Sequence, residues 1–158
     1  MGAGKTTIGR RLAKLLNRQL IDVDKEIEQR TGASIPLIFE MEGEQGFRER
    51  EKALTAELCR RPNIVLATGG GVVMDPDNRR CLAASGFVVY LRTSIDEQIR
   101  RIGQDTNRPM LHTEDRRARL EQLLQVRDPL YQQVADLIVD TDGDNLKLIS
   151  REILNKLP

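Results

Sequence analysis

The run Gly2-Ala3-Gly4-Lys5-Thr6-Thr7 carries the most explicit chemistry in the chain. Glycines let a backbone turn tightly enough for several N–H groups to face one anion. A helix beginning at that turn adds its positive end to the same spot. Lys5 supplies a mobile charge for the outer phosphates of a nucleoside triphosphate, and the Thr6 hydroxyl is a donor for Mg²⁺. The run fits the second half of G-x-x-x-x-G-K-[ST], a motif that follows a buried strand. Its first glycine would fall two residues before Met1, and the strand that feeds the loop is not in the sequence.

Other residues complement a phosphate site. Asp22 and Asp24 close a short apolar run, Leu20-Ile21. Asp22 can face Mg²⁺ through water, because Mg²⁺ keeps much of its hydration shell. Asp24 can accept a proton from an attacking hydroxyl, or it can simply cap the next helix. Arg48 and Glu51 stand one helical turn apart, so the carboxylate can fix the guanidinium for bidentate contact with an anion. The same pair can also be an ordinary solvated face. Phe47 beside them is one of three phenylalanines and suits either a ring-sized pocket or the core. Gly69-Gly70-Gly71 follows the apolar run Ile64–Ala67 and leaves room for a ligand against backbone N–H groups, or forms a plain turn. Arg108 lies in a polar, proline-bearing stretch, where a lid arginine could neutralise charge on a transferred phosphoryl group. Arg127 precedes Pro129, at an expected helix break, as a second anion clamp or a helix-end cation.

These residues need a frame that brings them together. Helical patterns are expected over 5–17, 24–30, a short segment capped by Ser34, 44–60, 76–84, 94–103, 115–126, 129–135 and 145–157. Strands are expected at 20–22, 64–67, 87–91 and 137–140. Short apolar strands alternating with helices imply a parallel sheet covered on both faces. Ligands of such sheets sit beyond the carboxyl ends of the strands. The opening loop, the Asp22–Asp24 turn and the Gly69–Gly71 turn all fall there, which argues for one site.

Composition narrows the function. The 158 residues suit a single domain, 1–158. With 25 basic and 24 acidic residues, the chain lacks the basic excess of a nucleic-acid binder. No apolar run reaches bilayer length and no signal peptide precedes the loop, so a cytoplasmic protein is expected. Cys59 and Cys81 have neither metal nor disulfide-framework spacing, and His112 alone cannot build a metal site.

Taken as an ordered set, GAGKTT, DVD, FRERE, GGG, NRPML and RDPLY resemble the shikimate kinase family over essentially the whole chain. The resemblance implies transfer of the ATP γ-phosphoryl group to the 3-hydroxyl of shikimate, in chorismate and aromatic amino-acid biosynthesis. It implies a P-loop NTPase fold, a nucleoside-monophosphate-kinase-like three-layer sandwich. A helical substrate region would span about 24–60 and a lid about 104–116. ATP and Mg²⁺ are the implied cofactors, and the family tends to be monomeric. Gly2, Ala3, Gly4, Lys5, Thr6 and Thr7 would bind ATP with Arg101 and the lid residue Arg108, Arg101 lining the adenine. Asp142-Gly143-Asp144-Asn145 matches the family's adenine loop except at Asp144. Thr6 and Asp22 would serve the metal. Asp24, Lys5 and Arg108 would be the catalytic set. Asp24, Arg48, Glu51, Gly69, Gly70, Gly71 and Arg127 would hold shikimate. In this fold the strand before the loop is central to the sheet, so the native protein is expected to carry residues upstream of Met1, and a chain starting there to be badly destabilised. The competing readings are a gluconate or nucleotide kinase and a non-catalytic nucleotide-binding module.

Overall fold

A computed structural model describes residues 2–102, 115–143 and 145–158. Arg108, His112, Asp144 and most of the expected lid lie outside the described residues.

Helix α1 (Lys5–Leu15) begins directly after Gly4, whose φ of 79° is a left-handed conformation that glycine adopts without strain. Its Ile8 and Leu12 face β4 (Leu137–Asp140) and the last helix, α7 (Leu146–Lys156), in one core cluster with Val139, Ile149 and Ile153. Strand β1 (Gln19–Asp22) passes straight into α2 (Val23–Thr31), which stops at Gly32, again left-handed at φ 69°. Helix α3 (Ile35–Leu58) starts from Ser34, whose side chain accepts from Leu37 N, with Pro36 in the first turn. The sequence suggests two helices here, and the backbone does break within α3: Gly43 has φ 70° and ψ −177°. Beyond that kink Phe47, Leu54 and Leu58 join Ile21, Val23, Ile27 and Ile38 in the second core cluster. Each such side chain contributes about 1.5–3 kcal/mol when fully buried. Phe47 is 4% exposed and packs on Phe39 at 5.0 Å between ring centroids, so it is a core residue rather than a pocket wall.

The remaining elements are β2 (Ile64–Ala67), a short 3₁₀ turn (Val72–Met74), α4 (Pro76–Ser85), β3 (Val89–Arg92), α5 (Ile95–Ile102) and α6 (Arg116–Val134). Strand β3 starts two residues later than the apolar run suggests. Val88 is held in the preceding turn, where its carbonyl accepts from Asp136 N and Leu137 N. Helix α6 runs through Pro129 instead of breaking at it. The ring removes one N–H, and the carbonyl it would have served belongs to Gln125, an exposed residue, so water can replace the lost hydrogen bond.

β1 pairs with β2 in parallel, Asp22 opposite Ala67, and β3 pairs with β4 in parallel, Arg92 opposite Asp140. The fold is α/β as expected, but the single sheet is present as two pairs rather than one. An apolar cavity of about 420 Å³ is lined by Val65 and Leu66 of β2, Val89 and Leu91 of β3, and Ile8 and Leu12 of α1. No helix among the described residues is long and apolar enough to cross a membrane.

Candidate active site

The β1–β2 register puts Asp22 and the Thr68–Gly71 segment at the same sheet end. Asp22 is the N-cap of α2, accepting from Lys25 N at 3.4 Å. That role was open to Asp24 on sequence grounds; the structure gives it to Asp22 and leaves Asp24 in the first helical turn. The other Asp22 oxygen accepts from the Thr6 hydroxyl at 2.8 Å. A hydroxyl and a carboxylate facing each other at the foot of the loop are hard oxygen donors, which fit Mg²⁺ held through one direct ligand and water. No group of three or more His, Cys, Asp or Glu residues among the described residues forms a closed metal cage.

The loop itself lines a cavity of about 440 Å³ with Gly2, Ala3, Gly4, Lys5, Thr6 and Thr7, closed by Arg100, Arg101 and Leu146. Arg101 donates to the carbonyls of Gly2 (3.1 Å), Gly143 (2.6 Å) and Thr141, and pairs with Glu97 at 2.6 Å. It therefore ties the loop to the 141–143 turn at the cavity rim. Arg100 and Leu146 carried no motif signal; only their proximity in the fold adds them.

Around the triple glycine the structure assembles the remaining charged residues. A Cβ placed on Gly69 would come within 3.2 Å of both Asp24 Oδ1 and Glu51 Oε1. One on Gly70 would meet the Tyr131 hydroxyl at 3.0 Å and the Arg127 guanidinium at 3.4 Å. One on Gly71 would overlap the Arg48 guanidinium. The triplet is therefore crowded by side chains, most tightly at Gly71 by Arg48, then at Gly70 by Tyr131 and at Gly69 by Asp24 and Glu51. Arg48 donates to Glu51 at 2.7 Å and to Glu44 at 3.3 Å, and its guanidinium lies 5.2 Å from the Phe47 ring centre. Burial works against the charge of Arg48, but Glu51 and Glu44 hold its pKa above the ordinary value. Glu51 is 1% exposed. Burial raises its carboxyl pKa above the ordinary value, with Asp24 adding to the shift and Arg48 and Arg127 opposing it. Arg127 is also buried, far from the solvated helix-end cation that its sequence position allowed. Thr55 Oγ and Glu51 Oε1 are buried atoms without a hydrogen-bond partner, in the floor beneath this cluster.

Two adjoining sites result: a glycine-rich loop with Lys5, Thr6 and Asp22, and a cluster of two carboxylates and two guanidiniums around Gly69–Gly71. The first suits a nucleotide's phosphates, the second an anionic acceptor bearing hydroxyls. Fold and site define a P-loop phosphotransferase. The shikimate kinase family model matches residues 1–158. A shikimate kinase of Thioalkalivibrio sulfidiphilus is 58% identical over 97% of this chain and 80% of its own length. Among solved structures, a shikimate kinase from Acinetobacter baumannii in complex with shikimate superposes with a TM-score of 0.96 at 48% identity, covering 100% of this chain and 91% of that one. The shikimate kinase from Bacteroides thetaiotaomicron gives 0.89 at 32% identity, over 98% of this chain and 92% of that one. The chain belongs to the shikimate kinase family.

Proposed function

We propose that the protein transfers the γ-phosphoryl group of ATP to the 3-hydroxyl of shikimate, giving shikimate 3-phosphate and ADP on the way to chorismate and the aromatic amino acids. The observation that carries this reading is the convergence of Arg48, Arg127, Asp24 and Glu51 on one glycine turn. Two guanidiniums at one turn suit a carboxylate, and a neighbouring aspartate suits ring hydroxyls. The Acinetobacter baumannii relative, itself seen with shikimate, supports the choice of acceptor.

In this reading Lys5 and the Gly2–Gly4 backbone hold the phosphates, with Arg101 at the adenine end of the loop cavity. Thr6 and Asp22 hold Mg²⁺, which neutralises charge on the phosphate oxygens. Arg48 and Arg127 grip the acceptor carboxylate, and Glu51 fixes the Arg48 fork. Gly69, Gly70 and Gly71 let the ring approach the backbone. Asp24 orients the reacting hydroxyl and receives its proton. Arg108 is assigned to the lid from sequence alone, as are the lid span of about 104–116, the substrate region of about 24–60 and the single-domain span 1–158. Positioning and charge neutralisation then supply most of the rate, since phosphoryl transfer asks little covalent chemistry of a protein. The working form is a cytoplasmic monomer that engages neither nucleic acid nor membrane.

The test is ATP- and Mg²⁺-dependent ADP release over a panel of shikimate, gluconate and nucleoside monophosphates. Turnover with shikimate above the others is the expected result. Turnover with gluconate or a nucleotide, and none with shikimate, would overturn the reading.

A further inference from the structure

The chain has two tyrosines and no tryptophan, and the two tyrosines stack on each other with ring centroids 4.7 Å apart. Tyr131 ends the RDPLY segment but was given no role there, and Tyr90 carried no motif signal. Tyr131 stands four residues after Arg127 on α6, so both point from the same helical face. Its hydroxyl donates to the Gly70 carbonyl at 2.5 Å. Tyr90, on β3, donates to Asp128 Oδ1 at 2.8 Å, and Gln132 Nε2 donates to the other Asp128 oxygen at 2.6 Å. The contacts close a ring: α6 to the glycine turn through Tyr131, Tyr131 to β3 through Tyr90, and β3 back to α6 through Asp128.

We propose that Tyr131 is a positioning residue for the acceptor, a clamp that sets the Gly70–Gly71 peptide and the Arg127 guanidinium relative to one another, with Tyr90 and Asp128 locking its ring. This deepens the proposed function and rests on it. A glycine triplet is the most permissive backbone in the chain, and two of its own hydrogen bonds, Val72 N to Gly69 O (3.3 Å) and Met74 N to Gly71 O (3.0 Å), restrain only the following turn. The Gly70 carbonyl is fixed from outside, by Tyr131. The Gly70–Gly71 peptide is trans, as are all peptide bonds among the described residues, so fixing that carbonyl also fixes the opposite direction of the Gly71 N–H. The same hydroxyl lies beside the Arg127 guanidinium, which works against the effect of burial on the Tyr131 pKa. One phenol thus references both a backbone donor and a charged clamp to the same point. The phosphate loop shares none of these contacts, so the clamp acts on one substrate only.

The experiment compares Tyr131→Phe and Tyr90→Phe with the wild-type chain in two readouts. The first is steady-state KM for shikimate and for ATP. Losing the hydroxyl that orients the turn is expected to raise shikimate KM about tenfold in Tyr131→Phe, with ATP KM within about twofold of wild type. Tyr90→Phe, which keeps the Tyr131 hydroxyl, is expected to give a smaller rise with the same selectivity. The second readout needs no substrate: amide hydrogen exchange of the segment 68–74, which should quicken in Tyr131→Phe while α1 and α7 exchange as before. Unchanged shikimate KM in Tyr131→Phe, or ATP KM rising in parallel, overturns the clamp. If the wild type does not use shikimate, the proposed function fails, and the clamp is decided by exchange alone: unchanged protection of 68–74 overturns it, and selective loss supports it.

Discussion

Gly71→Ala perturbs the acceptor site while leaving its own backbone conformation unstrained. Gly71 has φ −86° and ψ −9°, a conformation that alanine adopts freely, so the backbone is not strained. The added methyl would instead occupy the space of the Arg48 guanidinium. That group is the far end of a flexible side chain, and it can swing away at the cost of its 2.7 Å contact with Glu51. A charge-assisted hydrogen bond to a buried carboxylate contributes about 1.5–3 kcal/mol. At about 1.36 kcal/mol per decade, kcat/KM for shikimate should fall about ten- to a hundredfold. Stability should fall by about 0.5–2.6 kcal/mol, because the gain of about 0.4–1 kcal/mol from restricting the unfolded chain offsets only part of the lost Arg48–Glu51 contact. Steady-state kinetics with each substrate varied, together with thermal melting, read both effects. In an Arg48→Ala background the same substitution should add less than about twofold, since the clash is gone. A Gly71→Ala enzyme with wild-type shikimate kinetics, or one equally impaired for ATP, would refute the reasoning.

Three further substitutions separate the roles. Asp24→Asn should lower kcat by about a hundredfold or more while shikimate KM moves little, because the amide keeps the contact but accepts no proton; unchanged kcat would remove Asp24 as the base. Asp22→Asn keeps the α2 cap, since Asn caps as well as Asp, but loses the charge facing Thr6. Its Mg²⁺ requirement should rise with the melting temperature nearly unchanged, which a Mg²⁺ titration of activity checks. Glu51→Gln tests the buried carboxyl. The folded pKa of Glu51 is raised by burial, so the folded state binds more protons than the unfolded one above the ordinary value of 4.5. Wild-type stability from this group is therefore full below that pH and is lost as pH rises through the folded pKa. The melting temperature of Glu51→Gln relative to wild type should accordingly climb as pH rises from 4.5, even as shikimate binding weakens. A pH-independent difference in melting would contradict this.

Much of the chemistry was legible in the residues. The glycine-lysine-threonine loop, the paired aspartates and the glycine triplet are local signatures whose partners lie at strand ends, so an α/β reading alone brings them near one another. Arg48 with Glu51 was legible because the pair lies within one helical turn. What the sequence could not give is depth. Arg127 was open to two roles, a second anion clamp, which the resemblance favoured, or a helix-end cation at the break that Pro129 suggested. The helix runs on, and its continuation buries Arg127 against the glycine turn. Tyr131 and Tyr90 come from different elements and meet only in the fold, so no spacing rule exposes them. Phe47 illustrates the converse. Its position beside Arg48 left a ring-sized pocket and the core equally open, and a single helical step turns it into the core against Phe39. No strand joins β2 to β3 among the described residues, in keeping with a sequence that lacks the central strand expected before the loop.

The central claim is that one anionic acceptor sits between Arg48 and Arg127 with Asp24 at its reacting hydroxyl. A crystal structure of the protein with shikimate and a non-hydrolysable ATP analogue measures this directly. The account predicts the shikimate carboxylate within hydrogen-bond reach of both guanidiniums, a ring hydroxyl on Asp24, and the triphosphate along Gly2–Thr7. Shikimate bound elsewhere, or bound with its carboxylate touching neither arginine, would contradict it.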